Sequence, residues 1–271
     1  MYSEDKTVAE AQKIMLEILK EIHRICVKHN LTYWLEAGTL LGAVRHKGFI
    51  PWDDDCDISM PRVDYERFIE IAKSELPDNM FLQSKETDPA SNFDAIKIRK
   101  LGTVLIETGE TGNEEYCHGI FVDVFPYDSY KDEWFIELLK WQRLSREKRK
   151  RYPKGSIKRL LATIYVNIIM WLPIHIIGLM KNFAIKKRNM YFNNKAHEYF
   201  SYGLECFYPV KTKRSDILPV RLQQRCFEDE SFYLPNNPDA VLRATYGNDY
   251  MTPPPIDKRA THAKIIKVNT N

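Results

Sequence analysis

From the N-terminus, apolar side chains return every three or four positions: Val8, Ala11, Met15, Leu19, Ile22 and Cys26 form a stripe that Ile14, Ile18 and Ile25 widen. This spacing predicts an amphipathic helix, closed at Lys28-His29-Asn30 by cationic residues and an asparagine. The pattern then shortens to a strand over Thr32–Glu36, a helix over Thr39–Arg45, a turn at Lys47-Gly48 and a strand over Asp55–Met60. Pro61 opens another helix, with Tyr65, Phe68, Ile69 and Ala72 on one face. Met80–Ser84, Phe93–Arg99, Val104–Glu107 and Gly119–Phe125 read as strands, and Pro238–Tyr246 as a helix before the turn-rich YGNDYMTPPP (Tyr246–Pro255). The fold class is therefore α+β, a mixed sheet with flanking helices.

After Tyr127 the character changes. Asp132–Arg151 reads as a long basic helix, and Leu160–Met180 is an uncharged stretch of 21 residues. That length would reach across a bilayer. Asn167, Pro173 and His175 interrupt it, however, and both flanks are basic, so the positive-inside rule orients no single crossing. A helical hairpin lying in the interface on anionic headgroups fits better; the alternatives are a buried helical subdomain and a true span. The formal net charge of +3 conceals this asymmetry, because residues 140–195 carry about +14 and the rest about −11. Such a block suits phosphate-rich partners, although a solvated charged helix also explains it. Five cysteines without a CxxC spacing, behind the polar start MYSEDKTVAE, point to a reducing, cytoplasmic setting.

The candidate chemistry centres on IPWDDDCDISM (Ile50–Met60). Asp55 and Asp57, spaced i, i+2 on a strand, share a face and repel each other unless a cation sits between them. Carboxylate oxygens suit Mg²⁺, which holds few protein ligands alongside substrate phosphates. Gly38-Thr39, at the predicted strand-to-helix turn, would let a phosphate approach the backbone beside that metal. A third carboxylate, Asp123, lies in GIFVDVFPYD (Gly119–Asp128) on the face of Phe121 and Phe125, opposite Ile120, Val122 and Val124. It would complete the metal site or take a proton from an attacking hydroxyl; capping a loop or pairing with an arginine is the structural alternative. Asp53 and Asp54 are expected in the loop entering the strand, where turn chemistry explains them as well as a site does. Arg45, Lys47, Lys97 and Arg99 are candidate phosphate ligands, the last two with a solvated strand face as their default reading. His262 and His46 are weaker candidates. An EF-hand reading fails at Ile58 and Asp64, and Cys117-His118 lacks partners at zinc spacing.

Gly38–Phe68, GTLLGAVRHKGFIPWDDDCDISMPRVDYERF, resembles the signature of the LicD family of bacterial phosphocholine transferases, whose eukaryotic relatives include the fukutin-type ribitol-phosphate transferases. HGIFVDVFPYD (His118–Asp128) and YGNDYMTPPP, with His262 beyond it, follow in the same order. Cys56 replaces the aliphatic residue usual between the two aspartates. The resemblance implies a nucleotidyltransferase-like fold, with a catalytic core over residues 1–130 and a C-terminal part, 201–271, completing the catalytic domain; the basic and hydrophobic helical insertion over 131–200 is read from composition alone and carries no family signature. In that frame Gly38-Thr39 holds donor phosphate, Asp55 and Asp57 bind Mg²⁺ (or Mn²⁺), and Asp123 completes the carboxylate set. The resemblance implies CDP-choline or another CDP-linked donor and a glycan acceptor as partners; the basic block adds an anionic membrane surface, and no nucleic acid is expected. Tyr33, Trp34, Trp52 and Tyr246 are candidates for caging a quaternary ammonium.

Overall fold

A computed structural model describes residues 2–91, 93–130, parts of 156–164, and 199–268 except 204, 207–209 and 260. The predicted Asp132–Arg151 helix and most of the Leu160–Met180 stretch lie outside the described residues. Helix α1 (Tyr2–Lys28) buries the stripe read from the sequence, with Ala11, Met15, Ile18, Leu19, Ile22, Ile25 and Cys26 all inaccessible to solvent. The chain then runs through β1 (Trp34–Leu35), α2 (Ala37–Arg45), β2 (Asp57–Pro61), α3 (Arg62–Glu75), β3 (Met80–Gln83), β4 (Ile96–Lys100), β5 (Val104–Glu107) and β6 (Ile120–Tyr130). Beyond residue 198 come β7 (Tyr199–Tyr202), β8 (Lys211–Lys213), α4 (Arg214–Ile217), β9 (Arg221–Phe227), β10 (Glu230–Leu234), α5 (Pro238–Tyr246) and β11 (Ala263–Lys267). As the pattern implied, this is an α+β fold.

The main sheet runs β1-β2-β6-β4-β3, and β7 and β8 extend it beside β6. Only β2 and β6 pair in parallel; every other neighbour described in this sheet is antiparallel. Strand β6 is the spine. Tyr127 faces Pro61 of β2 on one side and Tyr202 of β7 on the other, so β7 takes over the side that β4 occupies further up. Tyr130 pairs with Tyr199, which places the two ends of the intervening segment side by side. Of two smaller ladders, β9–β10 is a C-terminal hairpin, and β5–β11 returns the C-terminal tail to the N-terminal half.

The predicted strand at Thr32–Glu36 shrinks to two residues, and Glu36 caps α2 by accepting from the Ala37 N–H. The predicted strand at Asp55 begins at Asp57, leaving Asp55 in the approaching loop. A buried cross-link secures the lower half of β6. Arg62 donates to both oxygens of Asp128 (3.0 and 2.8 Å) and to both of Glu205 (2.9 and 2.8 Å).

Candidate active site

The register of three strands assembles the site. In the parallel β2–β6 pair Asp57 stands opposite Asp123, and in the antiparallel β4–β6 pair Lys97 stands opposite the same Asp123. Register partners point to one face of a sheet, so Asp57, Asp123 and Lys97 form a row across it. Local bonds hold each member. The Asp57 N–H donates to Thr39 Oγ1 at 2.8 Å, which ties the helix-opening turn to the strand. The Asp123 N–H donates to the Cys56 carbonyl at 2.8 Å. Lys97 Nζ lies 3.0 Å from Asp123 Oδ1 and 3.2 Å from Glu107 Oε2.

Lys97 and Arg99 are each only 2 % exposed, which corrects the solvated-face reading of their strand. Burial is tolerable because each is partnered. Arg99 donates to Gln83 Oε1 (2.5 Å) and the Gly119 carbonyl (2.6 Å), so its hydrogen bonds serve the sheet. Lys97, by contrast, turns its charge toward the carboxylate row.

Four aspartates crowd this row, and burial is the main reason each holds its proton more tightly. Asp123 is pushed up to about 6, with Lys97 opposing the shift and Glu107 adding to it. Asp57 is pushed well up by burial and then by the charges of Asp55, Asp123 and Asp53. Asp55 is raised by burial against the pull of His262, whose Nε2 lies 3.7 Å from Asp55 Oδ2. Asp53 is pushed up to about 9 by burial, the charge of Asp55 and their mutual hydrogen bond. At neutral pH Asp53 therefore keeps its proton and shares it toward Asp55.

Gly38 lies against this cluster: a Cβ there would sit 2.6 Å from Asp53 Oδ2 and 3.8 Å from Asp55 Oδ1. Ala37 before it adopts φ +46°, a left-handed conformation uncommon outside glycine, so the turn is bent sharply toward the aspartates. The C-terminal tail closes the other side. Asp54, 1 % exposed, accepts from the backbone N–H groups of His262 (2.8 Å) and Ala263 (2.5 Å). Its carboxylate thus anchors the tail, and that anchoring carries His262 to Asp55. Arg45 Nη1 donates to the Tyr250 carbonyl at 2.7 Å, and Arg259 stacks over Trp52 with its guanidinium 3.9 Å from the ring centroid. Lys47 adopts φ +63° in a turn whose carbonyl accepts from the Glu228 N–H, so its backbone fixes the loop to the β9–β10 hairpin.

Two of the aromatic residues expected to cage a cation are core residues. Tyr33 and Trp34 are fully buried; the Tyr33 hydroxyl meets His23 Nδ1 at 2.5 Å and Trp34 Nε1 donates to Glu36 at 2.7 Å. Tyr246 remains beside the site, where the charges of Asp57, Asp53 and Asp55 add to burial in pushing its hydroxyl up. Sequence reasoning misses Glu107 and Glu36. Glu36, 1 % exposed, has its carboxyl raised by burial, and a lone glutamate ending a strand gives no sign of that. Glu107 reaches Lys97 only through the folded strand arrangement.

Residues 30–174, more than half of the chain, match the family model described as LicD/FKTN/FKRP, nucleotidyltransferase domain. The chain belongs to this family. The match contains the Gly38 turn and the Asp55, Asp57 and Asp123 set, and it runs on into the basic segment. The chain is 36% identical over 128 residues to the lipopolysaccharide cholinephosphotransferase LicD of Haemophilus influenzae, covering 47% of this chain and 46% of that protein. It is 45% identical over 65 residues to an uncharacterized protein of Rickettsia typhi, covering 24% of this chain and 21% of that one. Human ribitol 5-phosphate transferase FKRP is 35% identical over 60 residues, 22% of this chain and 12% of FKRP. The chain thus spans less than half the length of these relatives.

Proposed function

We propose that this LicD-family chain transfers phosphocholine from CDP-choline to a hydroxyl of a cell-surface glycan precursor (teichoic acid, lipopolysaccharide or capsule type), releasing CMP. The observation that carries the reading is the row Asp57–Asp123–Lys97, with Asp55 and the Gly38 turn at its end. A CDP-linked ribitol- or glycerol-phosphate is the second reading, favoured by the match to FKRP.

The donor set fits a hard divalent cation, Mg²⁺ or Mn²⁺. The carboxylates are oxygen ligands held close in a buried row, and the positive charges acting on Asp55 come from Lys97 and His262. Among the described residues no three His, Cys, Asp or Glu side chains converge as a ready-made cage. Mg²⁺ asks for less: one or two carboxylates, here Asp55 and Asp57, with the remaining positions taken by water and substrate phosphate. Held by Asp55 and Asp57, such an ion would neutralise charge on the donor phosphates.

The chain's own groups do the rest. The Gly38-Thr39 turn brings backbone up against Asp53 and Asp55, where a donor phosphate held beside those aspartates would meet it, and Lys97 offers its ammonium to the same phosphate. Asp123, ionised at neutral pH and poised near 6, accepts the proton of the acceptor hydroxyl as that oxygen attacks phosphorus in line. Asp53, still protonated, stabilises Asp55 by hydrogen bonding. His262 stands where it meets negative charge on the donor.

We also place the protein at the cytoplasmic face of a membrane, beside a lipid-linked acceptor. Among the described residues no helix is long and apolar enough to cross a bilayer. The pairing of Tyr130 with Tyr199 supports an excursion that leaves and returns at one point, and it argues against a single crossing between them. The test of the catalytic reading is a panel of CDP-linked donors with Mg²⁺, reading CMP release with and without glycan acceptors. Release only from the alditol donors overturns the choline assignment; release from none of them overturns the enzyme reading.

A further inference from the structure

Beside the carboxylate row, β4 and the loops around it enclose a cleft of about 150 Å³ lined by Phe93, Lys97, Arg99, Glu107, Glu110 and Tyr116, with Ser91 at its margin. Its lining joins two aromatic rings to two carboxylates and two bases. Lys97 sits in its wall with Nζ 3.3 Å from the Phe121 ring centroid and 4.4 Å from that of Phe93. The protein therefore already holds one ammonium between aromatic faces and carboxylates, the arrangement that attracts quaternary nitrogen. Lys97 leaves spare negative charge behind. Asp123 and Glu107 share its one ammonium, and Glu107 keeps 34% of its side chain exposed. Glu110 adds a third carboxylate, fixed by the Tyr116 hydroxyl, which donates to it at 2.6 Å. Arg99 is the other base in the wall, and its hydrogen bonds go to Gln83 and the Gly119 carbonyl. The two carboxylates of the lining face two bases, and Asp123 behind Lys97 draws on the charge of one of them.

We propose that this cleft is the head-group pocket of the donor, taking a trimethylammonium against the Phe93 and Tyr116 rings with Glu107 as its counter-charge. The inference rests on the transferase reading above and deepens it. The geometry agrees, because Lys97 belongs both to the cleft wall and to the Asp123 row. A donor whose phosphates occupy the row has its head group one side chain away, on the side opposite the Gly38 turn. The pocket would favour a cationic head group over a neutral polyol of similar size.

The test compares the full chain with its Phe93→Leu and Glu107→Gln variants. Both changes are conservative in shape, and Phe93 is only partly buried. Steady-state CMP release gives kcat/KM for CDP-choline and for CDP-glycerol, and calorimetry gives the affinity for CDP-choline and for CMP, which lacks a head group. The expected result is a loss of about tenfold in the CDP-choline to CDP-glycerol ratio in each variant. CDP-choline affinity should fall by a similar factor while CMP affinity holds. Equal losses for both donors, or an unchanged ratio, overturn the pocket while leaving the transferase reading in place; they would indicate a polar site for acceptor sugar. A wild-type protein that uses only neutral donors overturns the phosphocholine reading, and the pocket with it. If turnover awaits the right acceptor, the calorimetric comparison still decides: variants that bind CDP-choline as tightly as wild type overturn the pocket.

Discussion

Replacing Asp57 by asparagine should stabilise the metal-free protein at alkaline pH while abolishing transfer. Asp57 is 8 % exposed, faces Asp123 across β2–β6, and is raised by burial and three neighbouring carboxylates. Asp123 illustrates the size of the strain: its rise from 3.8 to about 6 is roughly two units, or about 3 kcal/mol of penalty on its ionised form. The sign follows from proton counting. A carboxylate raised on folding binds more protons in the native than in the unfolded state between its two values. Stability therefore falls as pH rises from about 4 to 6 for Asp123, and from about 4 to 9 for Asp53. His23 and His46, lowered mainly by burial, push the other way below their ordinary range. Comparing variant with wild type at each pH cancels that contribution. The Asp57→Asn change keeps the size of the side chain and removes one charge, relieving Asp55 and Asp123 by about 1–3 kcal/mol.

Urea denaturation in EDTA at pH 5 and pH 8 measures this. The variant should gain on wild type as pH rises. Adding Mg²⁺ at pH 8 should then stabilise wild type by mass action and leave the variant nearly unmoved. A variant less stable than wild type at pH 8, or one that responds equally to Mg²⁺, would refute the claim that this row is a strained cation site.

Further outcomes follow from single contacts. Asp123→Asn should lower turnover by about 10²–10⁴ with donor affinity nearly unchanged in calorimetry, whereas loss of donor binding would make it a ligand instead of a base. Asp54→Ala removes the acceptor of two backbone N–H groups and should cost about 1–3 kcal/mol in urea titrations; limited proteolysis should then cut within the tail near His262 first. Arg62→Met strands Asp128 and Glu205 in the interior and should cost about 3–5 kcal/mol by the same titration, far more than any change at the exposed Arg24–Glu21 pair. Raising the salt concentration should weaken binding to vesicles of anionic lipid, and vesicles of neutral lipid should bind little. Binding indifferent to salt and lipid charge would refute a membrane role for the basic segment.

What can be read from the sequence is local. The stripe of α1 is a 3.6-residue period, and burial bears it out at Ala11, Met15, Ile18, Leu19, Ile22, Ile25 and Cys26, while Val8 and Ile14 are half-buried. The Asp55-Cys56-Asp57 spacing and the apolar setting of Asp123 mark carboxylates with no reason to lie where they do unless something binds them. What escapes is made by distance. Strand β9, RLQQRCF, is exposed at its first five positions and carries no alternation, so only its pairing with β10 makes it a strand. Lys97 reads as one of two bases on a wet face, because its partners Asp123 and Glu107 come from other strands. Asp54 reads as turn chemistry, and its true partners are more than two hundred residues away. Tyr33 and Trp34 read as available to a ligand because aromatic residues beside a short strand give no hint of which layer will cover them.

The two buried charge networks on β6 differ in how fully their charges are matched. At Asp128, one guanidinium meets two carboxylates through four hydrogen bonds, and its charge is strengthened by them against the burial that opposes it. At Asp123, five residues back along the same strand, burial dominates and the aspartates are all raised, with Lys97 as their buried cation. Both sets lie in one sheet, under one core, so a difference in solvent access does not explain the contrast. A structural network gains from saturating its partners, because every buried carboxylate oxygen left bare costs free energy. A site that must admit a cation and a phosphate has to leave those oxygens underused. The shortage of positive charge at Asp55, Asp57 and Asp123 is thus what the proposed cation and phosphate site would require of this sheet. Lys97 supplies enough charge to let the row fold, and too little to fill it.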